Sequence, residues 1–393
     1  MKVLVLAEYY PRTGDPVLGI WAHRQALAAR DAGAEVRVLV LHRPLPSLSA
    51  LRRGDAGAAR AALAQPHQQT RDGLIVDYLR YLAPPRPWSY ASWGAWAAPV
   101  LRRALGALRL RFAYDLVHAH YAVPAGDAIR RAQPGMPVVV SVHGGDVLGA
   151  HARHLNVAAA LRHARLVLAN SAGTARRCTA LGARATRVVH LGADLAPDNA
   201  TRGPLGSAGA LRAPTLVTVG NLIARKRHAD VIAALPALAA RHPGIRYEII
   251  GDGPQRAALA AQARELGVAG QVTLYGALPH AEAVAAARRA TLFVLPSVDE
   301  AFGVAYVEAM AAGVPAVGVR GEDGPEEIAA CGGGIVLVAP RDPAALAAEV
   351  GALLSAPERV AALGAAARAT VEAHFTWGAC GRDTVRAYED ALA

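Results

Sequence analysis

Residues 292–319 constrain the fold more than any other stretch, because strand-like and helix-like patterns alternate there over a short distance. Residues 292–297 are almost entirely apolar, which predicts a short buried strand. A loop and an alanine-rich helix over residues 304–312 follow, and residues 314–319 predict the next strand. In such a unit the unpaired amides at the start of the helix lie above the carboxyl edge of the sheet, where they form an anion site.

Two glutamates flank this predicted anion site. Glu300 lies in the loop and Glu308 lies in the helix. Because carboxylates repel phosphate, a phosphate ligand alone does not explain them. A ligand with a sugar on one side of its phosphates and a ribose on the other would donate hydroxyl hydrogen bonds to both carboxylates. The alternative is an ordinary loop acid and a solvated helix position.

The complete motif is more specific than either glutamate. Residues 296–315 read P-S-V-D-E-A-F-G-V-A-Y-V-E-A-M-A-A-G-V-P, which resembles the signature of retaining, nucleotide-sugar-dependent glycosyltransferases with the GT-B fold, family 4. The resemblance implies an α/β protein with two Rossmann-like, doubly wound domains facing across a cleft. It also implies that Glu300 contacts the donor sugar and that Glu308 holds the ribose. The amides of Phe302, Gly303 and Val304 would receive the diphosphate.

The length of the chain also favours two domains. A chain of 393 residues with 53% apolar residues is too long for one ordinary core and can bury two. We predict a first, acceptor-side Rossmann-like domain over residues 1–196, with a mobile, polar excursion at 43–70. A linker rich in Pro and Gly over 197–214 leads to a donor-nucleotide-binding domain over 215–375. By resemblance, a helix over 376–393 returns to the first domain.

Strand ends in the first domain carry further candidate residues. Residues 138–147 read V-V-V-S-V-H-G-G-D-V and resemble the H-G-x-D segment of the family, which implies that His143 lies beside the donor sugar with Gly144 behind it. Gly19, in the loop after the first strand, resembles the glycine at which the family's backbone approaches the nucleotide sugar. A metal site formed by His118, His120 and His143 is the alternative.

A basic turn opens the second domain. Arg225, Lys226 and Arg227 follow the strand at 215–220, and their charges could pair with two phosphates, unless they form only a basic surface turn. The loop resembles the family's G-R-L-x-x-x-K-G, in which the Arg and Lys hold the diphosphate. Lys226 falls on that Lys, Asn221 replaces the Arg and Arg227 replaces the Gly. Arg225 or Arg227 could therefore supply the second cation.

Later strand ends complete the predicted donor site. Gly276 and Leu278 follow a strand at 272–275 and by resemblance lie against the nucleobase. Glu327 is the equivalent of the glutamate in the family's G-x-P-E-I motif. The turn G-D-G-P at 251–254 is too weak a match to a dinucleotide fingerprint to indicate a dehydrogenase. The resemblance thus implies His143, Lys226 and Glu300 as catalytic residues. The expected donor-binding residues are Gly19, Gly144, Asn221, Arg225, Lys226, Gly276, Leu278, Phe302, Gly303, Val304 and Glu308.

Charge is distributed unevenly along the chain. Residues 1–196 hold 25 basic and 11 acidic residues, whereas residues 197–393 hold 17 basic and 20 acidic residues. The first half would meet an anionic partner, either a membrane surface or a phosphorylated acceptor, unless its charge forms only a solvated Arg-rich surface; no module for nucleic acid is recognisable. Trp88, Trp93 and Trp96 beside a basic helix would suit peripheral membrane contact, and a buried or acceptor-lining position suits them equally.

The residues and the resemblance together predict a metal-independent hexosyltransferase that needs no cofactor, and the resemblance implies that it retains anomeric configuration. It would move a sugar from a UDP-sugar, or from GDP-mannose, to a glycan, lipid-linked or small-molecule acceptor. The alternatives are an epimerase or phosphorylase of the same fold and a non-catalytic nucleotide-sugar-binding protein. Three separated cysteines and the lack of a recognisable secretory signal favour a cytoplasmic location, with the inner face of the membrane as a second option.

Overall fold

The computed structural model describes residues 1–46, 50, 54–149, 154–195 and 213–393. The chain divides into two compact units, which are described separately. The first unit comprises Met1–Leu191 and Trp377–Ala393, and the second comprises Gly192–Thr376. Most of the predicted linker, residues 197–212, lies outside the described residues.

The first unit contains an eight-stranded sheet in the order β3-β4-β2-β1-β5-β6-β7-β8. All of its neighbouring strands are parallel except the antiparallel pair β3 and β4. The inner strands are buried on both faces because helices cover both, as a doubly wound sheet requires. The strands are β1 Lys2–Ala7, β2 Glu35–His42, β3 Gln68–Arg71, β4 Leu74–Arg80, β5 Leu116–His120, β6 Val138–Val142, β7 Leu166–Ala169 and β8 Thr186–Val188.

Helices connect these strands, as the alternating pattern predicts. Alanine-rich segments form most of them, since alanine has the highest helix propensity. They are α1 Ile20–Asp31, α2 Ala56–Ala64, α3 Arg86–Ser89, α4 Trp93–Arg109, α5 Asp127–Ala132, α6 Leu155–His163 and α7 Ala172–Ala180.

The prediction of a polar excursion at residues 43–70 is wrong for most of its described part. Residues 56–64 form the helix α2, and β3 pairs with β4. Asp72 and Gly73 connect these two strands with φ angles of 48° and 80°. An Asp-Gly pair with both φ angles positive is the preferred two-residue hairpin turn, so the signal was present in the sequence. Residues 47–49 and 51–53 of the excursion lie outside the described residues.

The second unit contains a six-stranded parallel sheet in the order β11-β10-β9-β12-β13-β14. The two parallel, doubly wound units confirm the predicted α/β fold class. The strands are β9 Thr215–Val219, β10 Arg246–Ile250, β11 Val272–Gly276, β12 Leu292–Val294, β13 Ala316–Val319 and β14 Ile335–Val338. The helices are α8 His228–Arg241, α9 Arg256–Glu265, α10 His280–Arg289, α11 Val304–Met310, α12 Asp323–Cys331, α13 Pro343–Leu354 and α14 Pro357–His374.

The last helix, α15 Trp377–Leu392, packs against α1 in the first unit. Gln25 donates a hydrogen bond of 3.1 Å to the Thr384 hydroxyl. The close approach depends on Gly381, because a Cβ atom there would lie 2.2 Å from the carbonyl oxygen of Ala28. The absence of a side chain at Gly381 therefore allows the two helices to lie this close together.

Of the tryptophans considered for membrane contact, Trp88 has a side chain that lies outside the described residues, and the other two have different environments. Trp93 is buried in the core of the first unit, while Trp96 is 53% exposed. The position of Trp93 fits the buried alternative. Within the described residues, no helix is both long and apolar enough to cross a bilayer. Peripheral membrane contact stays a prediction.

We predict that Gly381→Ala destabilises the protein by about 2 kcal/mol, since the added methyl group forces α15 away from α1. Chemical denaturation followed by circular dichroism measures this change. Gly106→Ala is the matched control, because a Cβ atom at this helix position meets nothing within 4 Å. It should stabilise the protein by up to about 1 kcal/mol. Equal stability of the Gly381→Ala variant and the wild type would contradict the close packing.

Candidate active site

A basic turn leads from β9 into α8 in the second unit. Asn221 is exposed in this turn, and residues 224–226 form a short 3-10 turn that carries Arg225 and Lys226. Arg227 occupies the N-cap position of α8 with a left-handed φ of 57°. Glycine adopts this backbone conformation most readily, which is consistent with the glycine that the resembling motif has at this position.

Lys226 and Glu300 form a buried ion pair that joins this turn to the loop after β12. Lys226 Nζ lies 2.5 Å from Glu300 Oε2, and the two side chains are only 13% and 8% exposed. The Ser297 hydroxyl donates a 2.8 Å hydrogen bond to the same carboxylate oxygen. Because β9 and β12 are neighbours in the sheet, residues 74 positions apart in sequence meet at its carboxyl edge.

The charges around Glu300 decide its ionisation. Burial alone would raise the pKa of this carboxyl group, but the positive charges of Lys226 and Arg225, with hydrogen bonds from Lys226 and Ser297, outweigh burial. The net result is a pKa below the ordinary value for glutamate. Glu300 is therefore a carboxylate at neutral pH and can accept hydrogen bonds from hydroxyl groups.

Of the two arginines that could supply a second cation, Arg225 lies nearer to this carboxylate. Arg225 Nη1 lies 3.6 Å from Glu300 Oε2, and its side chain is 41% exposed. Arg227 instead forms an ion pair with Asp230 in the first turn of α8, at 2.6 Å. Arg225 therefore has an exposed guanidinium beside the buried pair, while Arg227 is engaged with the helix.

Two further residues hold the backbone of the Glu300 loop. The amide of Glu300 donates a 2.9 Å hydrogen bond to Glu322 Oε2, and the amide of Gly324 donates to the carbonyl of Glu300. A Cβ atom on Gly324 would lie 2.2 Å from the carbonyl oxygen of Phe302. In this region the family motif predicts Glu327, whereas Glu322 follows no motif and could not be predicted from the sequence.

The Phe302-Gly303-Val304 segment leads directly into α11. Gly303 is the N-cap residue with a φ of 87°, and a Cβ atom there would lie 2.4 Å from the ring of Tyr306. The backbone turn at this position therefore requires glycine. The segment lies at the N-terminus of α11, where the first amides of a helix have no acceptor within the helix.

The remaining donor-side candidates have partners other than Lys226 and Glu300. Glu308 Oε1 lies 2.7 Å from His280 Nε2 on α10, a partner that sequence reasoning missed. Gly276 ends β11 with a φ of 81°, and its carbonyl accepts a hydrogen bond from the amide of Gly251. Leu278 is half-buried in the following loop. Gly276 and Leu278 share the carboxyl edge of the sheet with Glu300, but β10 and β9 lie between β11 and β12.

In the first unit, His143 lies at the end of β6 and contacts His120. His143 Nε2 lies 3.0 Å from His120 Nδ1, and the two rings are stacked. Burial lowers the pKa of His143 to about 3, so its ring is neutral at physiological pH. Asp146 accepts hydrogen bonds from the amides of His143 and Ala122, and burial raises its pKa to about 7.

The glycines predicted in the first unit have backbone roles. Gly144 has a φ of 89°, and its carbonyl accepts hydrogen bonds from the amides of Val147 and Leu148. Gly19 is the N-cap residue of α1 with a φ of 63°, and a Cβ atom there would lie 2.2 Å from the backbone of Tyr9. The absent side chain at Gly19 allows the loop after β1 to lie against the start of the helix.

The geometry does not favour the metal alternative for the three histidines. His118 contacts the Tyr388 hydroxyl through Nδ1 and the Ser141 hydroxyl through Nε2, both at 2.7 Å, so its ring nitrogens already have partners. Within the described ranges, no group of three or more His, Cys, Asp or Glu side chains is arranged to hold a metal ion.

Comparison with known proteins shows the family to which the chain belongs. Residues 18–197 match the model described as Glycosyltransferase Family 4, and residues 208–370 match Glycosyl transferases group 1. Glycogen synthase of Mycobacterium tuberculosis is 32% identical over an alignment of 410 positions, which covers 99% of this chain and 94% of that protein.

Solved structures agree with the fold. Sucrose-phosphate synthase from Thermosynechococcus elongatus has a TM-score of 0.74 at 21% identity, over 99% of this chain and 98% of that chain. Anabaena HepE in complex with UDP and glucose has a TM-score of 0.70 at 19% identity, over 99% of both chains. The fold and these matches define a GT-B glycosyltransferase. Within that class the chain belongs to glycosyltransferase family 4, as the sequence motif predicts.

We predict that Lys226→Met lowers the free energy of unfolding by about 3 kcal/mol at pH 7, because the buried Glu300 carboxylate loses its nearest cation and keeps only the Ser297 hydrogen bond and the more distant Arg225. In the wild type, whose Glu300 pKa is lowered, the stabilisation is present above the unfolded pKa and is lost as the pH falls through the folded pKa. In the variant, burial raises the pKa of Glu300, so protonation relieves the penalty at low pH. The deficit should therefore shrink from pH 7 to pH 4.5 in denaturation curves.

Lys226→Met combined with Glu300→Gln is the control, since it removes both charges. The double variant should recover most of the stability that the single variant loses. A deficit that is the same at every pH, or additive losses in the double variant, would contradict a paired, ionised Glu300.

Proposed function

We propose that this protein is a retaining, metal-independent hexosyltransferase that transfers a sugar from a nucleoside-diphosphate donor to a hydroxylated acceptor. The observation that carries the proposal is the Lys226–Glu300 pair with Arg225 beside it. Cations suited to a diphosphate and an ionised carboxylate suited to sugar hydroxyls occur within one loop cluster. A donor with both groups explains the combination, whereas phosphate alone explains only the cations.

The leaving group determines the role of the cations. As the glycosidic bond breaks, negative charge develops on the nucleoside diphosphate, and preorganised positive charge stabilises that charge. Lys226 and Arg225 would supply it from their fixed positions, with the amides of Phe302, Gly303 and Val304. These groups support the inference that the reaction needs no divalent cation.

Glu300 and Glu308 would bind opposite ends of the donor. Glu300, whose pKa is lowered despite burial, would accept hydrogen bonds from the sugar hydroxyls. Glu308, held by His280, would accept them from the ribose. Gly276 and Leu278 would approach the nucleobase and Asn221 the diphosphate.

His143 would act as a neutral hydrogen-bonding group beside the donor sugar. A ring with a pKa of about 3 is uncharged at neutral pH and does not act as a general acid, but its Nδ1, which has no hydrogen-bond partner among the described residues, can still bind a hydroxyl group. Gly19 and Gly144 would allow the backbone to approach the donor. The proton of the acceptor hydroxyl would pass to an oxygen of the departing diphosphate during a front-face attack.

The division of labour between the domains is part of the same proposal. Residues 1–196 with the helix at 376–393 would hold the acceptor, and residues 215–375 would hold the donor nucleotide. UDP-sugar is the favoured donor, supported by the structural similarity to HepE in complex with UDP and glucose, and GDP-mannose is the alternative. The acceptor is a glycan, a lipid-linked sugar or a small molecule, reached in the cytoplasm or at the inner face of the membrane.

We expect the full-length protein to release nucleoside diphosphate from at least one of UDP-glucose, UDP-galactose, UDP-N-acetylglucosamine and GDP-mannose, in the presence of EDTA. Proton NMR of the transfer product should show the anomeric configuration of the donor. An inverted product would contradict retention. A donor epimer formed without acceptor would indicate an epimerase, phosphate-dependent turnover a phosphorylase, and binding without turnover a non-catalytic protein.

We expect Arg225→Met to weaken UDP binding by about tenfold, because an exposed guanidinium that pairs with phosphate is lost. Isothermal titration calorimetry measures the affinity. Arg227→Met removes the same charge two residues further along the chain. Because the Arg227 side chain pairs with Asp230, this variant should change UDP affinity by less than about twofold. The reverse order of effects would show that Arg227 is the second diphosphate-binding cation.

A further inference from the structure

Three arginines of the first unit surround one buried carboxylate that the proposed donor site does not use. Glu8 directly follows β1 and is 7% exposed. Arg12 Nη2 donates a 2.6 Å hydrogen bond to the Glu8 carbonyl and lies 4.0 Å from its carboxylate. Arg12, Arg86 and Arg43 all lie close enough to Glu8 to act on its charge. We call Glu8, Arg12, Arg43, Tyr81 and Arg86 the arginine cluster.

The topology of the sheet brings the arginine cluster together. Glu8 and Arg12 follow β1, Arg43 follows β2 and Tyr81 follows β4. These three strands are adjacent and parallel, so their carboxyl ends meet at one edge, where α/β proteins bind ligands. Arg86 begins α3 and is exposed at the outside of the cluster.

Several buried atoms of the arginine cluster lack hydrogen-bond partners among the described residues. They are Glu8 Oε2, Arg12 Nε and the Tyr81 hydroxyl. Unsatisfied buried polar atoms are rare in folded proteins because each one is energetically costly. A network that served only to stabilise the fold would satisfy these atoms internally. One acceptor, one donor and one hydroxyl left unpaired close together match a ligand that both donates and accepts.

Aromatic rings hold the arginines in place. The guanidinium of Arg86 lies 4.3 Å from the ring centroid of Tyr90 and 5.3 Å from that of Tyr9. Arg43 lies 5.3 Å over the ring of Trp93 and donates a hydrogen bond to the Ala83 carbonyl. Arginines fixed in this way lose little conformational entropy when they bind an anion.

The same rings connect the arginine cluster to His143. The rings of Tyr9 and Tyr121 are 4.9 Å apart, and those of Tyr121 and His143 are 5.0 Å apart. The rings of Tyr9 and Tyr121 therefore separate a ligand bound at the arginines from His143, which we place beside the donor sugar. This distance suits an acceptor whose anionic end is remote from its reacting hydroxyl.

We propose that the arginine cluster is the acceptor subsite and that it takes a phosphorylated sugar or polyol. Arg12, Arg43 and Arg86 bind the phosphate, while Glu8 and Tyr81 bind hydroxyl groups. Three guanidiniums outnumber the one carboxylate, so the cluster is positively charged, and the dianion of a phosphate monoester balances more of that charge than a single carboxylate does. The inference rests on the proposed function, since it names the acceptor class of that reaction.

The test compares phosphorylated and unphosphorylated probes with the full-length protein. Calorimetry in the presence of UDP measures binding of glucose 6-phosphate, fructose 6-phosphate and glycerol 3-phosphate, beside glucose, fructose, glycerol and glucuronate. At least one phosphorylated probe should bind about tenfold or more tightly than its unphosphorylated counterpart. No binding of any phosphorylated probe, equal binding within each pair, or tighter binding of glucuronate would overturn the proposal.

Variants assign the effect to named residues. Arg86→Met should abolish the preference for the phosphorylated probe, and Arg103→Met, which removes the same charge from an exposed position on α4, should retain it. Tyr81→Phe should weaken probe binding without lowering the melting temperature, because the hydroxyl has no partner among the described residues. If Arg86→Met keeps the preference, or Tyr81→Phe lowers stability while binding is unchanged, the cluster is structural.

Two further measurements distinguish a lipid-borne phosphate from a soluble one, and a failure of the acceptor assignment from a failure of the proposed function. Flotation with vesicles of phosphatidylinositol in phosphatidylcholine tests a lipid-borne phosphate, and binding to these vesicles without binding of any soluble monoester would overturn the proposal. If no donor is bound or turned over, the proposed function fails. If the donor is turned over but phosphorylated probes are not preferred, only the acceptor assignment fails.

Discussion

The buried ion pair between Lys226 and Glu300 joins the two loops that form the proposed donor site of the second unit. An ionised carboxylate that is 8% exposed costs several kcal/mol unless a cation and hydrogen bonds accompany it. Lys226 and Ser297 supply both, and the backbone contacts from Glu322 and Gly324 fix the loop. The pair therefore keeps a charged hydrogen-bond acceptor ready at the carboxyl edge of the sheet.

Burial has the opposite consequence in the first unit. His143 and Asp146 lie together, and burial lowers the pKa of the histidine to about 3 and raises that of the aspartic acid to about 7. With no strong counter-charge, both groups are driven toward their neutral forms. A neutral imidazole can bind a hydroxyl without attracting or repelling a diphosphate. Similar burial thus gives one unit a charged acceptor and the other a neutral one.

The sequence was sufficient for what short-range patterns encode. The glutamate motif indicated the family, and alternating strands and helices indicated two parallel sheets. The Asp72-Gly73 turn was readable from residue types and was overlooked. Contacts over long sequence separations were not readable: nothing in the basic triplet distinguishes Arg225 from Arg227 until Asp230 is seen to engage one of them. Glu322 and His280 contribute through contacts that no motif marks.

The choice of lysine at position 226 has a physical reason in a chain with 40 arginines and 2 lysines. An ammonium group is compact enough to approach Glu300 to 2.5 Å in a site where the lysine side chain is 13% exposed. Arg225 lies 3.6 Å from the same carboxylate oxygen and is 41% exposed. The buried lysine can keep the carboxylate ionised while the exposed arginine remains accessible to a phosphate. Binding a diphosphate therefore does not require the buried pair to break.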